Sequence, residues 1–389
     1  MMLILGILIG LLVLTALVAL HELGHAYAAI RNGVKVEEFG LGFPPLAYQF
    51  KKKTDRILPR GTIISINWLP LGGYVKLKGE YDSDDKKGDY GSASFWGKTQ
   101  ILFAGVAVNW LVAAVLFTIL AWTGLPKALD NQFYIASDAR VTGGETTVLA
   151  ISEGMPAAKS GIKVGDKIIE VDGQETVTPV EISKLAESKS GENLTIKVQR
   201  DGKNKDFSVH VRDNNDDGKG FIGLSSQREG EKIYTTWSAP IVGVGTTVQF
   251  TGATFKGLGD LAVNFFSGII NRLSFSESSR QIGAEKMSQA GAGVAGPISI
   301  IGVIFPQATQ SGATTVLFLA ALLSLTLATM NSLPIPALDG GRWFMTFISR
   351  KLLKKPLSKD TEENINAIGF LFLMGLSLLV VVLDVMKLF

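Results

Sequence analysis

The chain has 389 residues, 47% of them apolar, with a net charge of +3, no cysteine and a positive mean hydropathy. That length implies more than one structural unit, and the apolar share points to a membrane. The net charge, with its basic residues gathered between apolar runs, is too small to imply nucleic acid and none is expected as a partner, and the lack of cysteine excludes disulfides and thiolate metal ligands.

Residues 1–20, 99–126, 287–338 and 364–383 contain no Asp, Glu, Lys or Arg. Each can supply the ~20 apolar residues of a spanning helix, so about four transmembrane helices are expected. The third run exceeds one span, so its helix is placed near residues 313–333, with 291–305 as a short re-entrant or interfacial piece. The first run lacks a basic segment before it and a convincing cleavage site before its histidines, and is read as a retained helix. Residues 31–98 carry twelve Lys and Arg and residues 342–363 carry six. The positive-inside rule then places both loops in the cytoplasm, and the N-terminus, residues 127–312 and the C-terminus outside.

In chain order, residues 3–20 form an uncharged helix of about 27 Å, ending at His21-Glu22-Leu23-Gly24-His25. Histidines four apart share one helical face, where both imidazoles can reach one metal ion, and Glu22 is placed to take a proton from water. This is the H-E-x-x-H pattern of zinc hydrolases. Two of the chain's three histidines are here, and ionisable groups at membrane depth are functional candidates. The competing reading is a helix-end histidine cluster at the lipid headgroups.

In the first loop, Gly40-Leu41-Gly42-Phe43 spells a PDZ carboxylate-binding loop but lies immediately after the first span, with Pro44-Pro45 following, and is set aside. Residues 61–68 and 73–79 alternate as two short strands separated by Leu69-Pro70-Leu71-Gly72, which predicts a hairpin. Its free edge beside the metal helix could hold an extended peptide by strand addition; an ordinary surface hairpin is the reading sequence alone favours. The Lys51–Lys53 run is read as a solvated membrane-proximal patch, and the acidic stretch Asp82–Asp89 as a solvated loop. Asn109, inside the second span, is read as interhelical glue.

A soluble module follows. Strands are expected over 147–151 and 167–171, with a short helix from Pro156 stopped by Gly161. Asp172-Gly173 turns, Thr178-Pro179 opens a second helix, and Leu194, Ile196 and Val198 alternate before the Asp201-Gly202 turn. His210 falls on the outward face with Ser208 and Arg212 and is not expected to bind metal. Residues 234–270 are too polar for a span and suggest an outer-face amphipathic helix.

The third span ends in Asn331-Ser-Leu-Pro334-Ile-Pro336-Ala-Leu-Asp339-Gly340-Gly341. Two prolines break the helix, and broken backbone at membrane depth is tolerated where it is buried in protein or lines a wet cavity. Asp339 is the first charge after fifty-two residues and is expected at the depth of His21 and His25; alternatively it is an Asp-Gly turn leaving the membrane. A catalytic zinc takes three protein ligands and keeps one position open. His21, His25 and Asp339 are therefore the expected Zn2+ ligands, with Glu22 as general base.

With these two motifs the chain resembles the site-2 protease family of intramembrane zinc metalloproteases, in its bacterial, PDZ-containing branch. Gly40-x-Gly42, Leu71-Gly72-Gly73-Tyr74-Val75 and Gly296-Pro297 support the resemblance. So do the PDZ-like Pro156-Ala157-Ala158, Gly161, Gly165-Asp166 and Asp172-Gly173. The resemblance implies a polytopic α-helical membrane protein with a cytoplasmic-side membrane-associated β-hairpin and an inserted extracytoplasmic PDZ-like α+β domain. The expected division is residues 1–126 (first two spans and hairpin), 127–228 (PDZ-like), 229–312 (connector) and 313–389 (last two spans). It further implies a bacterial inner membrane location and cleavage of single-span transmembrane substrates, among them pre-trimmed anti-sigma factors and remnant signal peptides. Asn331 then contacts the substrate backbone, as do Gly72 and Gly73 of the hairpin. Some relatives carry two PDZ domains where one is found here, and no clear peptide-carboxylate loop is found within it. The alternative is a non-catalytic PDZ membrane adaptor with a degenerate metal site. Oligomeric state is left unassigned.

Overall fold

The computed structural model describes residues 2–55, 57–129, 131–175, 178–215, 219–228, 230–274, 276–292 and 295–386. The chain divides into two compact units, Met1–Leu125 with Asn131–Asp138 and Thr235–Phe389, and Pro126–Asp130 with Ala139–Tyr234.

The larger unit is helical. Among the described residues, four of its helices are long and apolar enough to cross a membrane: α1 (Met2–Arg31), α2 (Phe95–Thr123), the helix Ala313–Asn331, and the final helix over Lys359–Val382. The charge-free runs located all four. The ends follow local chemistry. Ser94 caps α2 by accepting from the Gly97 N–H at 3.0 Å, and Gly124 stops it at φ 115°, a conformation glycine adopts without penalty. Histidines 21 and 25 lie within α1, which continues to Arg31.

Residues Val36–Lys51 (β1) and Ile63–Leu77 (β2) form an antiparallel sheet with several register shifts. A hairpin is present, but its strands are β1 and β2 and not the two expected. The two expected strands do not pair with each other; residues Glu38 to Leu41 of β1 lie between them, paired with Ile63–Ile66 and also with Lys76–Gly73. Gly72 turns the chain between the two halves of β2 at φ +81°, where a Cβ would run into the Phe43 ring. Glu38 stitches the arrangement, accepting from Ser65 Oγ and from Tyr74 Oη at 2.6 Å.

The acidic loop is also corrected: Asp82 and Asp89 are buried. Asp82 pairs with the buried Lys98 and with Arg350, whose Nε lies 2.9 Å from Oδ2. Its backbone N–H donates to Glu362 at 2.8 Å. Glu362 in turn lies 3.7 Å from Arg342, which donates to the Glu80 carbonyl at 2.9 Å. Burial alone would raise the Asp82 carboxyl, but Lys98 and Arg350 hold it below its ordinary value. Buried charge is tolerated here because it is paired, and the loop thereby ties α2 to the residues that follow Asp339.

After the smaller unit, α3 (Ala239–Arg272) runs along α2. Gly243 allows the approach, since a Cβ there would meet the Thr118 N at 2.7 Å and the Ala114 O at 2.8 Å. Phe250 stacks on Phe117 at 5.6 Å, and Phe318 meets both rings at 6.1 Å. Polar faces of Thr246 and Thr247 are buried, so the polarity that marked residues 234–270 serves helix packing. The stretch from Gly296 forms short helical turns over Pro297–Ser311, and Gly312 separates it from the helix Ala313–Asn331. Phe305 and Pro306 seat against Gly10 and Gly6 of α1.

The smaller unit holds a sheet whose strands run in the order Leu224–Arg228, Thr146–Ile151, Lys167–Val171, Asn193–Arg200, Lys203–His210, with Gln174–Glu175 beside the third. Short helices Pro156–Ser160 and Pro179–Ser188 cover a core that includes Val148, Ile168, Ile182, Leu194, Ile196, Val198 and Val209. Thr178 and Glu181 form a reciprocal capping box on the second helix. His210 is exposed, as expected, with Nδ1 3.1 Å from Asn193 Oδ1.

Candidate metal centre

The centre is built on α1. His21 and His25 are one turn apart, both buried, with ring centroids 4.6 Å apart and planes at 81°. Their Nε2 atoms lie 3.0 Å apart. Asp339 Oδ2 lies 3.1 Å from His21 Nε2 and 3.3 Å from His25 Nε2. One ligand atom from each residue thus falls within 4.8 Å of the others.

Two glycines make room for the imidazoles. At Gly24 a Cβ would lie 2.7 Å from the Ala104 carbonyl of α2. At Gly105 it would lie 2.5 Å from His25 Nε2 and 2.7 Å from His21 Cε1. The second helix presents Ile101, Gly105 and Asn109 at intervals of four, one stripe facing the histidines. The Ile101 carbonyl lies 2.7 Å from His25 Nδ1, so this nitrogen donates and Nε2 is left with its lone pair directed at the centre.

Asp339 is delivered by the broken end of the third span. The helix stops at Asn331, Pro334 and Pro336 remove backbone donors, and Asp339 opens a new helix, Asp339–Phe347. Its carboxylate sits in the first turn, where the helix dipole favours negative charge. The loop folds so tightly that a Cβ at Gly340 would collide with the Ser332 carbonyl, and one at Gly341 would lie 2.8 Å from the Pro336 nitrogen. The Asp-Gly-Gly run is therefore steric as well as chemical.

Glu22, Gly72, Gly73 and Asn331 line one cavity of about 210 Å³ with His21 and Asp339, and Val18, Asn109, Leu327 and Ala337 complete its wall. His25 lies behind it. A Cβ on Gly73 would sit 3.4 Å from Glu22 Cγ, and the Val75 backbone N–H faces the Glu22 carboxylate. All the residues singled out from the sequence as a site are thus brought together. Asn109 belongs to this group as well: fully buried, with Nδ2 3.4 Å from His21 Nδ1, it corrects the reading of a purely interhelical amide. The spacing of 101, 105 and 109 could have revealed it once α2 was set against the histidine face.

The donor set fits zinc. Two imidazoles and a carboxylate are an established hydrolytic combination, and ligands at about 2.0–2.1 Å on a tetrahedron stand about 3.3–3.4 Å apart. The observed separations of 3.0, 3.1 and 3.3 Å are close to that.

Comparison with known proteins agrees. Residues 9–376 match the sequence model described as peptidase family M50. A protein of Clostridium acetobutylicum, provisionally named a zinc metalloprotease, is 29% identical over 380 residues, covering 98% of this chain and 97% of its own length. Provisionally named zinc metalloproteases of Clostridium perfringens and a Nostoc species are similar at 27% and 28% identity, covering 97% and 98% of this chain and 98% and 96% of their own lengths.

Proposed function

This chain belongs to peptidase family M50 and is a zinc metalloprotease, and on that premise we propose that it cleaves peptide bonds inside the membrane, within the transmembrane segments of single-span substrates. The observation that carries the proposal is the convergence of His21, His25 and Asp339 on α1, a helix of membrane-spanning length and apolarity.

His21, His25 and Asp339 would hold the zinc. When bound, zinc supplies Lewis acidity, polarising a peptide carbonyl and acidifying water at the site. Glu22 takes one proton from the attacking water as its oxygen bonds to the carbonyl carbon, and gives that proton to the amine as the C–N bond breaks. A transmembrane helix hides its amides in hydrogen bonds, so it must be held extended before water can reach them. Residues Gly73–Leu77 pair with β1 and face Glu22, an edge on which an extended peptide can add as a strand. Gly72 and Gly73 keep that edge free of side chains beside the base, and Asn331, on the cavity wall, contacts the substrate backbone.

The positive-inside distribution supports a multi-pass protein of the bacterial inner membrane, with the centre toward the cytoplasm. Residues 127–228 are read as an extracytoplasmic PDZ-like domain that excludes substrates still carrying bulky ectodomains, with 1–126, 229–312 and 313–389 as the membrane and connecting parts. Pre-trimmed anti-sigma factors and remnant signal peptides fit such a gate. Intact donors and base argue against a non-catalytic adaptor.

The test compares wild type with Glu22→Gln for zinc content and for cleavage of a truncated single-span substrate in detergent. Retained zinc with lost cleavage supports the proposal; equal cleavage by both proteins refutes it.

A further inference from the structure

Resting on that reading of the centre, we infer that Asn109 is a positioning residue, accepting a hydrogen bond from His21 Nδ1 through its own Oδ1 and so presenting His21 Nε2 to the metal.

The two histidines pose the same chemical problem. Each directs Nε2 at the point shared with Asp339. A neutral imidazole that ligates through Nε2 carries its proton on Nδ1, and a buried N–H without an acceptor is destabilising. For His25 the acceptor is the Ile101 carbonyl at 2.7 Å. For His21 the polar side chain in range of Nδ1 among the described residues is Asn109, at 3.4 Å. Asn109 is 0% exposed, and its Oδ1 has no hydrogen-bond partner among the described residues. The buried amide that reaches this ring through Nδ2 thus carries an oxygen without a donor, and the ring nitrogen needs an acceptor.

The two orientations of an amide differ only in exchanging O and N, and the assignment follows the hydrogen-bond network. Turned with Nδ2 toward the ring, Asn109 donates to Nδ1, and the ring proton then sits on Nε2, where it blocks ligation. Turned with Oδ1 toward the ring, it accepts from the Nδ1 proton and leaves Nε2 free, with Nδ2 turned to the side the oxygen occupied. The backbone of Asn109 is held for this task, its carbonyl accepting from Ser324 Oγ at 2.8 Å. Groups of this kind behind a metal-binding histidine contribute about 10–100-fold to metal affinity.

The experiment measures zinc affinity by chelator competition in the purified full-length protein, with wild type, Asn109→Asp and Asn109→Leu compared. Asn109→Asp keeps an acceptor and should bind zinc at least as tightly as wild type. Asn109→Leu has the same branched side-chain skeleton without the acceptor and should bind about 10–100-fold more weakly. Because the chain has three histidines, 15N-histidine labelling of the zinc-loaded wild type gives a direct second reading, with the His21 proton expected on Nδ1. Zinc on Nδ1 of His21, affinity of Asn109→Leu within twofold of wild type, or equal losses in both variants would each overturn the role. Should Asn109→Leu fail to fold, Asn109→Asp and the wild-type spectrum still decide, since weakened binding by the former overturns the role. Wild type that binds no zinc would overturn the metal centre itself, a different outcome from the failure of Asn109 alone.

Discussion

Replacing Gly105 by alanine adds one methyl group at the back of the metal centre, 2.5 Å from His25 Nε2 and 2.7 Å from His21 Cε1. Comfortable contacts lie at about 3.5–4.0 Å, so the imidazoles must retreat by about 1 Å. For the fold the cost is modest: alanine gains about 1 kcal/mol over glycine in a helix interior, against about 1–3 kcal/mol for overpacking. For the metal it is severe, because ligand distances tolerate only about 0.2 Å and a misplacement of about 1 Å can cost 100-fold in rate. Gly105→Ala should therefore keep its thermal midpoint within about 5 °C of wild type, lose zinc in a one-to-one mixture, and cleave at least about 100-fold more slowly. Gly252→Ala is the control, a helical glycine with nothing within 4 Å of the added carbon, and should leave zinc and cleavage unchanged. Full zinc and wild-type cleavage in Gly105→Ala would refute the claim that this glycine makes room for the ligands.

Asp82→Asn strands Lys98 and Arg350 without their carboxylate and should cost about 3–5 kcal/mol, read as a lower unfolding midpoint and new trypsin sensitivity in the 79–91 loop. Because the folded-state pKa of Asp82 is depressed, its contribution is complete above the unfolded value of about 4 and is lost as pH falls through the folded value. Wild type should therefore lose more stability than Asp82→Asn on acidification, and parallel pH curves would contradict the pairing. Thr178→Ala removes a capping box and should cost about 1 kcal/mol, seen as faster hydrogen exchange across Pro179–Ser188 with zinc and cleavage intact. Val75→Pro deletes an N–H from the edge facing Glu22 and should abolish cleavage while zinc stays bound; undiminished cleavage would remove strand addition from the mechanism.

The spans and the principal site residues were legible because membrane chemistry is written in single residues. A run without charge announces a helix, and His21, His25 and Asp339 stand out against apolar surroundings. What was hidden depended on long-range partners. Residues 61–68 and 73–79 read correctly as strand, but nothing in Gly40-Leu41-Gly42-Phe43 advertises the strand that separates them, since glycines carry no alternating pattern. Asp82 looked solvated because its partners, Lys98 and Arg350, are 16 and 268 residues away. Asn109 looked like helix glue until α1 was placed against it. In α3, threonines and glycines that lower hydropathy are the residues that let it approach α2.

The central claim is that the peptide bond is cut at membrane depth, and the masses of the cleavage products test it most directly. A single-span substrate, already shortened on its outer side, would be reconstituted with the zinc-loaded protein in liposomes, and its fragments measured for wild type and Glu22→Gln. The account predicts fragments ending within the apolar segment, formed by wild type and absent with Glu22→Gln. Fragments ending only in the water-exposed flanks would contradict it.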